Sequence, residues 1–168
     1  MQKIIINCDS GITDALTNLL AVASRDDIDV LGRTCFKGNV ALNQTHLNAQ
    51  TIYAAALRLD IPALQGLTLP ILISTNHEAC THGEDGSGAN GFPLHGQLPE
   101  SEMNSVDFIL RQSAKYHGEV ALSAIGPMYR NSRSNGELRC DDATGSLWPI
   151  LCTNLPPETI TLTAARAL

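Results

Sequence analysis

Residues 1–65 alternate between two hydrophobic periodicities, and that alternation constrains the fold more than any other feature of the chain. Ile4 to Asn7 is a short apolar run closing on polar residues. Ile12, Leu16, Leu19, Leu20 and Ala23 then recur at three- and four-residue steps, as on one face of a helix. Arg25-Asp26-Asp27 reads as a polar loop, and Ile28, Val30 and Leu31 lead into a second strand running towards Cys35. Lys37-Gly38-Asn39 reads as a turn. Asn43 to Arg58 has helical spacing, with Leu47, Ile52, Ala55 and Ala56 available for a core face. Ile61 to Leu64, containing Pro62, completes the series as a third strand. Strand, helix, strand, helix, strand is the order of βαβ units. It predicts an α/β fold with an open, mostly parallel sheet and flanking helices, Rossmann-like in plan. Loops that follow strands gather at the carboxyl edge of such a sheet, where ligands sit. The turns at Asp9–Asp14 and Lys37–Asn39 are therefore expected to converge.

Leu67 to Pro99 is irregular, glycine-rich and holds His77, His82, Glu84, Asp85 and His95. A stretch of that length reads as a functional lid or a disordered segment. A helix is expected from Ser101, as its cap, to about His117, with Val106, Ile109 and Leu110 on its apolar side. Val120 to Ile125 reads as a fourth strand broken by Gly126-Pro127. Beyond it, Tyr129 to Cys140 is polar without helical or strand periodicity, Trp148 to Leu151 is apolar but short, and Pro156-Pro157 interrupts the rest. The expected organisation is an α/β domain over residues 1–128 followed by a divergent, irregular tail over residues 129–168.

A chain of 168 residues fits one domain with a sizeable core. Its net charge of -6 argues against a nucleic-acid partner, since phosphate contacts need a basic surface. No apolar run approaches the roughly 18 residues of a membrane span, so no membrane partner is expected. The apolar stretch at the start is too short for a secretory signal. The 5 cysteines form no CxxC pair and are odd in number. Neither a disulfide framework nor a zinc site is signalled, and buried thiols in a reducing cytoplasm are expected.

Among residues able to carry chemistry, Asp9 leaves the first strand and Asp14 opens the next helix. Two carboxylates at such a junction can share one hard cation. Helix capping is the ordinary alternative: Asp9 or Ser10 as the cap, Asp14 against the positive helix end. Gly38-Asn39 by itself is a turn dipeptide. His82, in His82-Gly83-Glu84-Asp85-Gly86-Ser87-Gly88, is a proton donor or ring platform on one reading and a solvated loop residue on the other. His46 reads as a partly exposed helical residue. Ala124-Ile125-Gly126-Pro127 offers only backbone carbonyls.

Taken in order, Asp9-x-Gly11-x-x-Asp14-Ala15, Gly38-Asn39-Val40, His82-Gly83-x-Asp85-Gly86 and Ile125-Gly126-Pro127 resemble the inosine-uridine nucleoside hydrolase family. The resemblance runs from about Lys3 to Met128. The family opens on DxDxGxDD; here Asn7 and Thr13 stand at its first and third Asp, and Asp9 and Asp14 match its second and fourth. What the resemblance implies is calcium-dependent hydrolysis of the N-glycosidic bond of ribonucleosides to base and ribose. Asp9, Asp14 and the Ile125 carbonyl match the calcium ligands, and Asp9 also matches the general base. Asn39 and Thr13 fall near the ribose, and His82 near the leaving base. Asn7 and Thr13 remove two negative charges, and calcium affinity depends on ligand charge, so a weakened site is expected. The family's C-terminal half supplies another metal-binding Asp, a His, and the Asn and Glu that hold the sugar, none of which is matched here. The expectation is thus a truncated relative lacking that half. It is either a hydrolase or an inactive, weak nucleoside or metal binder, or a fragment dependent on a partner. Family members are commonly oligomeric, so a homo-oligomer is also implied.

Overall fold

The computed structural model describes residues 1–66, 82–88, 101, 103–125 and 160–164, the last as backbone only. Within them, strands β1 (Gln2–Cys8), β2 (Ile28–Cys35), β3 (Ala63–Gln65), β4 (Val120–Ala124) and β5 (Ile160–Ala164) form one sheet. Helices α1 (Ile12–Ala23), α2 (Leu42–Ala55) and α3 (Ser105–Lys115) connect or flank them. The strand order is β3-β2-β1-β4-β5, and every pairing is parallel. The expected α/β architecture is the observed one.

Strand β1 is central and buried on both faces, which is why it reads as a continuous isoleucine run. Ile6 and Cys8 point to one face and pack with Ala21 and Val22 of α1, Val30, Tyr53 of α2 and Ile61. Ile5 points to the other and packs with Phe108 and Ile109 of α3, Leu64, Val120 and Leu122. Cys8 and Cys35, in register on adjacent strands, are buried free thiols. Cys80, Cys140 and Cys152 lie outside the described residues.

Several elements differ from expectation for identifiable reasons. The third strand begins at Ala63, because Pro62 has no N–H to donate and enters the ladder only through its carbonyl, which accepts from Arg33 N at 2.9 Å. α3 starts at Ser105, capped by the Asn104 side chain accepting from Asp107 N at 3.0 Å, whereas Ser101 Oγ accepts from Met103 N upstream. α2 ends at Ala55, ahead of Leu57 at φ +55°. Ile160–Ala164 is a strand within the segment expected to be irregular; its Ile-Thr-Leu-Thr alternation suits a sheet position. Most of residues 67–99, the Gly126-Pro127 break and the rest of the tail lie outside the described residues.

The inward faces of α1 and α2 are a further correction. Ile12, Leu16, Leu19 and Leu20, the periodic residues of α1, are exposed, Leu16 to 70%. The buried residues are Asp14, Asn18, Ala21 and Val22. On α2 the buried set is Leu42, Thr45, His46, Asn48, Ala49, Gln50 and Tyr53, while Ala55 is exposed. His46, expected to be partly exposed, is buried and lies 3.1 Å from Gln50 Nε2 through its own Nε2. Both helices turn polar residues inward because those residues hydrogen-bond one another and the adjoining loops. Tyr53 Oη donates to Asn18 Oδ1 at 2.9 Å, and Asn18 Nδ2 donates to the Asp14 carbonyl at 2.7 Å.

The chain moves outward from β1 to β2 and β3, then returns to place β4 on the other side of β1. The order therefore reverses between β1 and β4. The crevice beyond their carboxyl ends is the preferred ligand position in an open α/β sheet. Asp9 follows β1 there, and Ile125 follows β4.

Candidate functional site

The site begins with a kink. Ser10, next after Asp9, has φ +48°, a left-handed conformation uncommon for a residue with a Cβ. Three contacts hold it. Its Oγ donates to the Thr45 carbonyl at 2.8 Å, its carbonyl accepts from Asn48 Nδ2 at 3.3 Å, and Arg33 Nη2 donates to its Oγ. The kink delivers Gly11 as the N-cap of α1 and turns Asp14, in the first helical turn, back towards Asp9.

Asn39 lies between the two carboxylates. Its backbone N–H donates to Asp9 Oδ2 at 3.0 Å, and its Nδ2 approaches Asp14 Oδ2 at 3.4 Å. Neither Asp9 nor Ser10 is the cap, since the kink makes Gly11 the N-cap; Asp14 Oδ2 accepts from Gly11 N at 2.7 Å, so the interaction weighed for Asp14 with the positive helix end is present alongside its place in the site. Two glycines make the approach possible. A Cβ on Gly38 would fall 2.0 Å from Asp9 Oδ2, and one on Gly11 would fall 2.6 Å from Asn39 Nδ2 and 2.7 Å from the His82 ring. His82 reaches the same place from its distant loop, its Nδ1 accepting from Ile12 N at 3.3 Å. Thr13 is exposed on the first turn of α1. Ile125 is half-buried at the end of β4, with its N–H donated to the Asn7 carbonyl at 3.0 Å.

Asp9, Asp14, Asn39 and His82 are thus assembled in direct or shared contact. Thr13 is exposed on the α1 turn they use, and Ile125 lies at the end of the strand beside β1. Asn7 points its amide at Thr34, donating to Thr34 Oγ1 at 2.8 Å, and its buried Oδ1 has no hydrogen-bond partner among the described residues. Sequence reasoning missed Ser10 as a strained, clamped residue, and it missed Arg33 and Asn48. A charged residue in the middle of a sheet strand was the available signal for Arg33, which is wholly buried.

The electrostatics follow from this packing. Asp9 and Asp14 are 4% and 5% exposed, and neither has an ion-pair partner among the described residues. Burial, reinforced by the Asp14 charge, pushes Asp9 up to about 6. Burial likewise holds Asp14 above the ordinary carboxylate range. One oxygen of each carboxylate is left without a hydrogen bond among the described residues. Two desolvated carboxylates, both reached by Asn39 and without an ion-pair partner among the described residues, are a suitable donor set for a hard cation. Among the described residues no group of 3 or more His, Cys, Asp or Glu side chains is placed to hold a metal ion, so the protein carboxylates supply only part of the six to eight oxygen ligands that calcium takes.

The family model for inosine-uridine preferring nucleoside hydrolase matches residues 4–129. A probable uridine nucleosidase 2 of Arabidopsis thaliana is 34% identical over 129 residues, which are 76% of this chain and 39% of that protein. The pyrimidine-specific ribonucleoside hydrolase RihB of Escherichia coli is 31% identical over 128 residues, 76% of this chain and 40% of that one. Among solved structures, a purine-preferring ribonucleoside hydrolase from Gardnerella vaginalis superposes with a TM-score of 0.71 at 26% identity, over 76% of this chain and 41% of that one. A plant nucleoside hydrolase gives a TM-score of 0.67 at 28% identity over 76% and 40% of the two chains. The chain spans about two fifths of the length of these relatives. No helix among the described residues is long and apolar enough to cross a membrane.

Proposed function

Since the chain belongs to the inosine-uridine preferring nucleoside hydrolase family, we propose that its Asp9–Asp14 site serves hydrolysis of the N-glycosidic bond of a ribonucleoside, with calcium as cofactor. The observation that carries this reading is the convergence of two buried, unpaired carboxylates on Asn39 at the switch point of the sheet. Asp9, Asp14 and the Ile125 carbonyl are the residues that would hold the ion. Bound there, calcium would supply a fixed positive charge to orient the attacking water and the sugar diol.

The remaining roles belong to the chain itself. Asp9, whose carboxyl is raised above its ordinary range by burial, takes a proton from the water as general base. The same two carboxylates favour the positive charge that develops on the sugar as the C–N bond breaks. Asn39 offers its amide to a ribose hydroxyl, and Thr13 offers its exposed hydroxyl to another. His82 Nδ1 is engaged as an acceptor by Ile12 N, which leaves the proton on Nε2, available to the departing base. The relatives' names include uridine, pyrimidine and purine preferences, so the substrate class is the ribonucleoside with its base left open.

A specific observation favours a second reading, an inactive chain that binds nucleoside or metal weakly. Among the described residues only Asp9 and Asp14 bring carboxylates to Asn39, and neutral Asn7 and Thr13 stand at acidic positions of the family's motif. One assay separates the two. Purified chain is incubated with uridine and with inosine in millimolar calcium, and free base is measured. Hydrolysis abolished by chelator and by Asp9→Ala supports the first reading. Calcium binding by calorimetry without base release supports the second. Neither binding nor release sinks both.

A further inference from the structure

We infer that Asn48 is a positioning residue that locks the His82 loop to the Asp9–Ser10 turn; the inference rests on reading Asp9 and His82 as one site. Asn48 lies on the inward face of α2 and is buried. Its Nδ2 donates to two main-chain carbonyls, Ser10 at 3.3 Å and Asp85 at 2.8 Å. Carbonyls only accept, so the amino end of the amide must face them. The other end, Oδ1, accepts from Gln44 Nε2 at 2.9 Å, one helical turn earlier, which holds the amide in that orientation.

Both clamped carbonyls matter to the site. Ser10 carries the left-handed kink that sets the direction of Asp9. Asp85 belongs to a loop closed on itself by Gly86 N to the Gly83 carbonyl at 3.2 Å and Gly88 N to the His82 carbonyl at 2.8 Å. Pinning Asp85 therefore pins His82, whose ring then meets Ile12 N. Gly86, at φ +73°, presses against the same amide: a Cβ there would stand 2.9 Å from Asn48 Nδ2. One side chain thus joins two segments more than seventy residues apart. It touches the main chain of both and no group proposed to react.

Asn48→Asp is the informative variant. It keeps the shape and removes the donor, presenting a carboxylate to two carbonyls. The test is amide exchange and imidazole nitrogen NMR on the full-length chain, wild type against Asn48→Asp. Exchange at Gly86 and Gly88 is expected to rise about tenfold or more, as for loss of one buried hydrogen bond. The His82 Nδ1 signal is expected to lose its acceptor signature, while Ile6 in β1 keeps its protection. Unchanged loop exchange and an unchanged His82 signal overturn the inference. Gln44→Leu releases the amide without touching either carbonyl. It should loosen the same loop to a smaller degree, and it decides the question if Asn48→Asp does not fold; no loosening overturns the inference.

Where the wild type cleaves nucleosides, Asn48→Asp lowers kcat/KM, and His82→Ala then has little further effect in that background. Fully additive losses count against positioning. Where the wild type does not cleave, the proposed function fails, and the exchange measurement still decides the role of Asn48.

Discussion

Gly38 has no side chain because Asp9 fills the space one would need. Gly38→Ala forces either the carboxylate or the β2–α2 turn to move. The expected outcome is at least a tenfold loss of calcium affinity by calorimetry and a loss of about 1–3 kcal/mol of stability by urea denaturation. Retained affinity would mean that Asp9 is not held against Asn39. The pH dependence belongs to the same residue. The folded-state pKa of Asp9 lies near 6, above its ordinary value of 3.8, so the folded chain binds more protons than the unfolded one between those limits. Without calcium, stability is therefore highest below about pH 4 as far as Asp9 is concerned. It falls as pH rises through 6, by at most about 1 kcal/mol per pH unit. Calcium held by the same carboxylate would favour its ionised form, so activity with Asp9 as base should rise at a pH below about 6. Thermal melts and a pH–rate profile, with Asp9→Asn as the control that flattens the stability trend, check both signs.

Among the elements, α1 departs furthest from its sequence pattern. Its leucines mark a helix correctly, yet Asp14 and Asn18 take the inward position because Gly11, Asn39 and Tyr53 offer them hydrogen bonds. Leu16→Lys and Leu20→Lys should each change stability by no more than about 0.5 kcal/mol, whereas Val22→Ala should remove about 2 kcal/mol. Chemical denaturation of the three variants tests which face is buried. On α3, Asn104→Ala removes the cap that binds Asp107 N and should cost about 1 kcal/mol in the same measurement, with Ser101→Ala costing less. The strand–helix alternation was legible because strand burial and helix amphipathicity leave different periods. The helix faces were not, because hydrophobic periodicity assumes an apolar interface, and near the site the interface is polar. The convergence of Asp9 with Asn39 was legible from topology alone. Ser10, Arg33 and Asn48 were not, since their roles depend on contacts between segments that local pattern cannot join.

For the molecule as a whole, ligand linkage gives the decisive measurement. If the acidic pair holds calcium only in the folded state, adding the ion at a hundred times its Kd should stabilise the chain by about 2.7 kcal/mol. It should also offset the stability lost between about pH 4 and 6. Magnesium should do less, since it is smaller and dehydrates reluctantly. A melting temperature indifferent to millimolar calcium would remove the metal from the proposal.

The strand order has a consequence for how the chain is made. Among the described strands, the one made earliest, β1, becomes the middle of the sheet, flanked at last by β2 and by β4. Its partner on one side ends at Cys35, but on the other side nothing pairs with it until Val120–Ala124 has been translated. At roughly 10 residues per second that interval is on the order of ten seconds. During it, an isoleucine-rich ribbon has one open flank that any other nascent chain can template against.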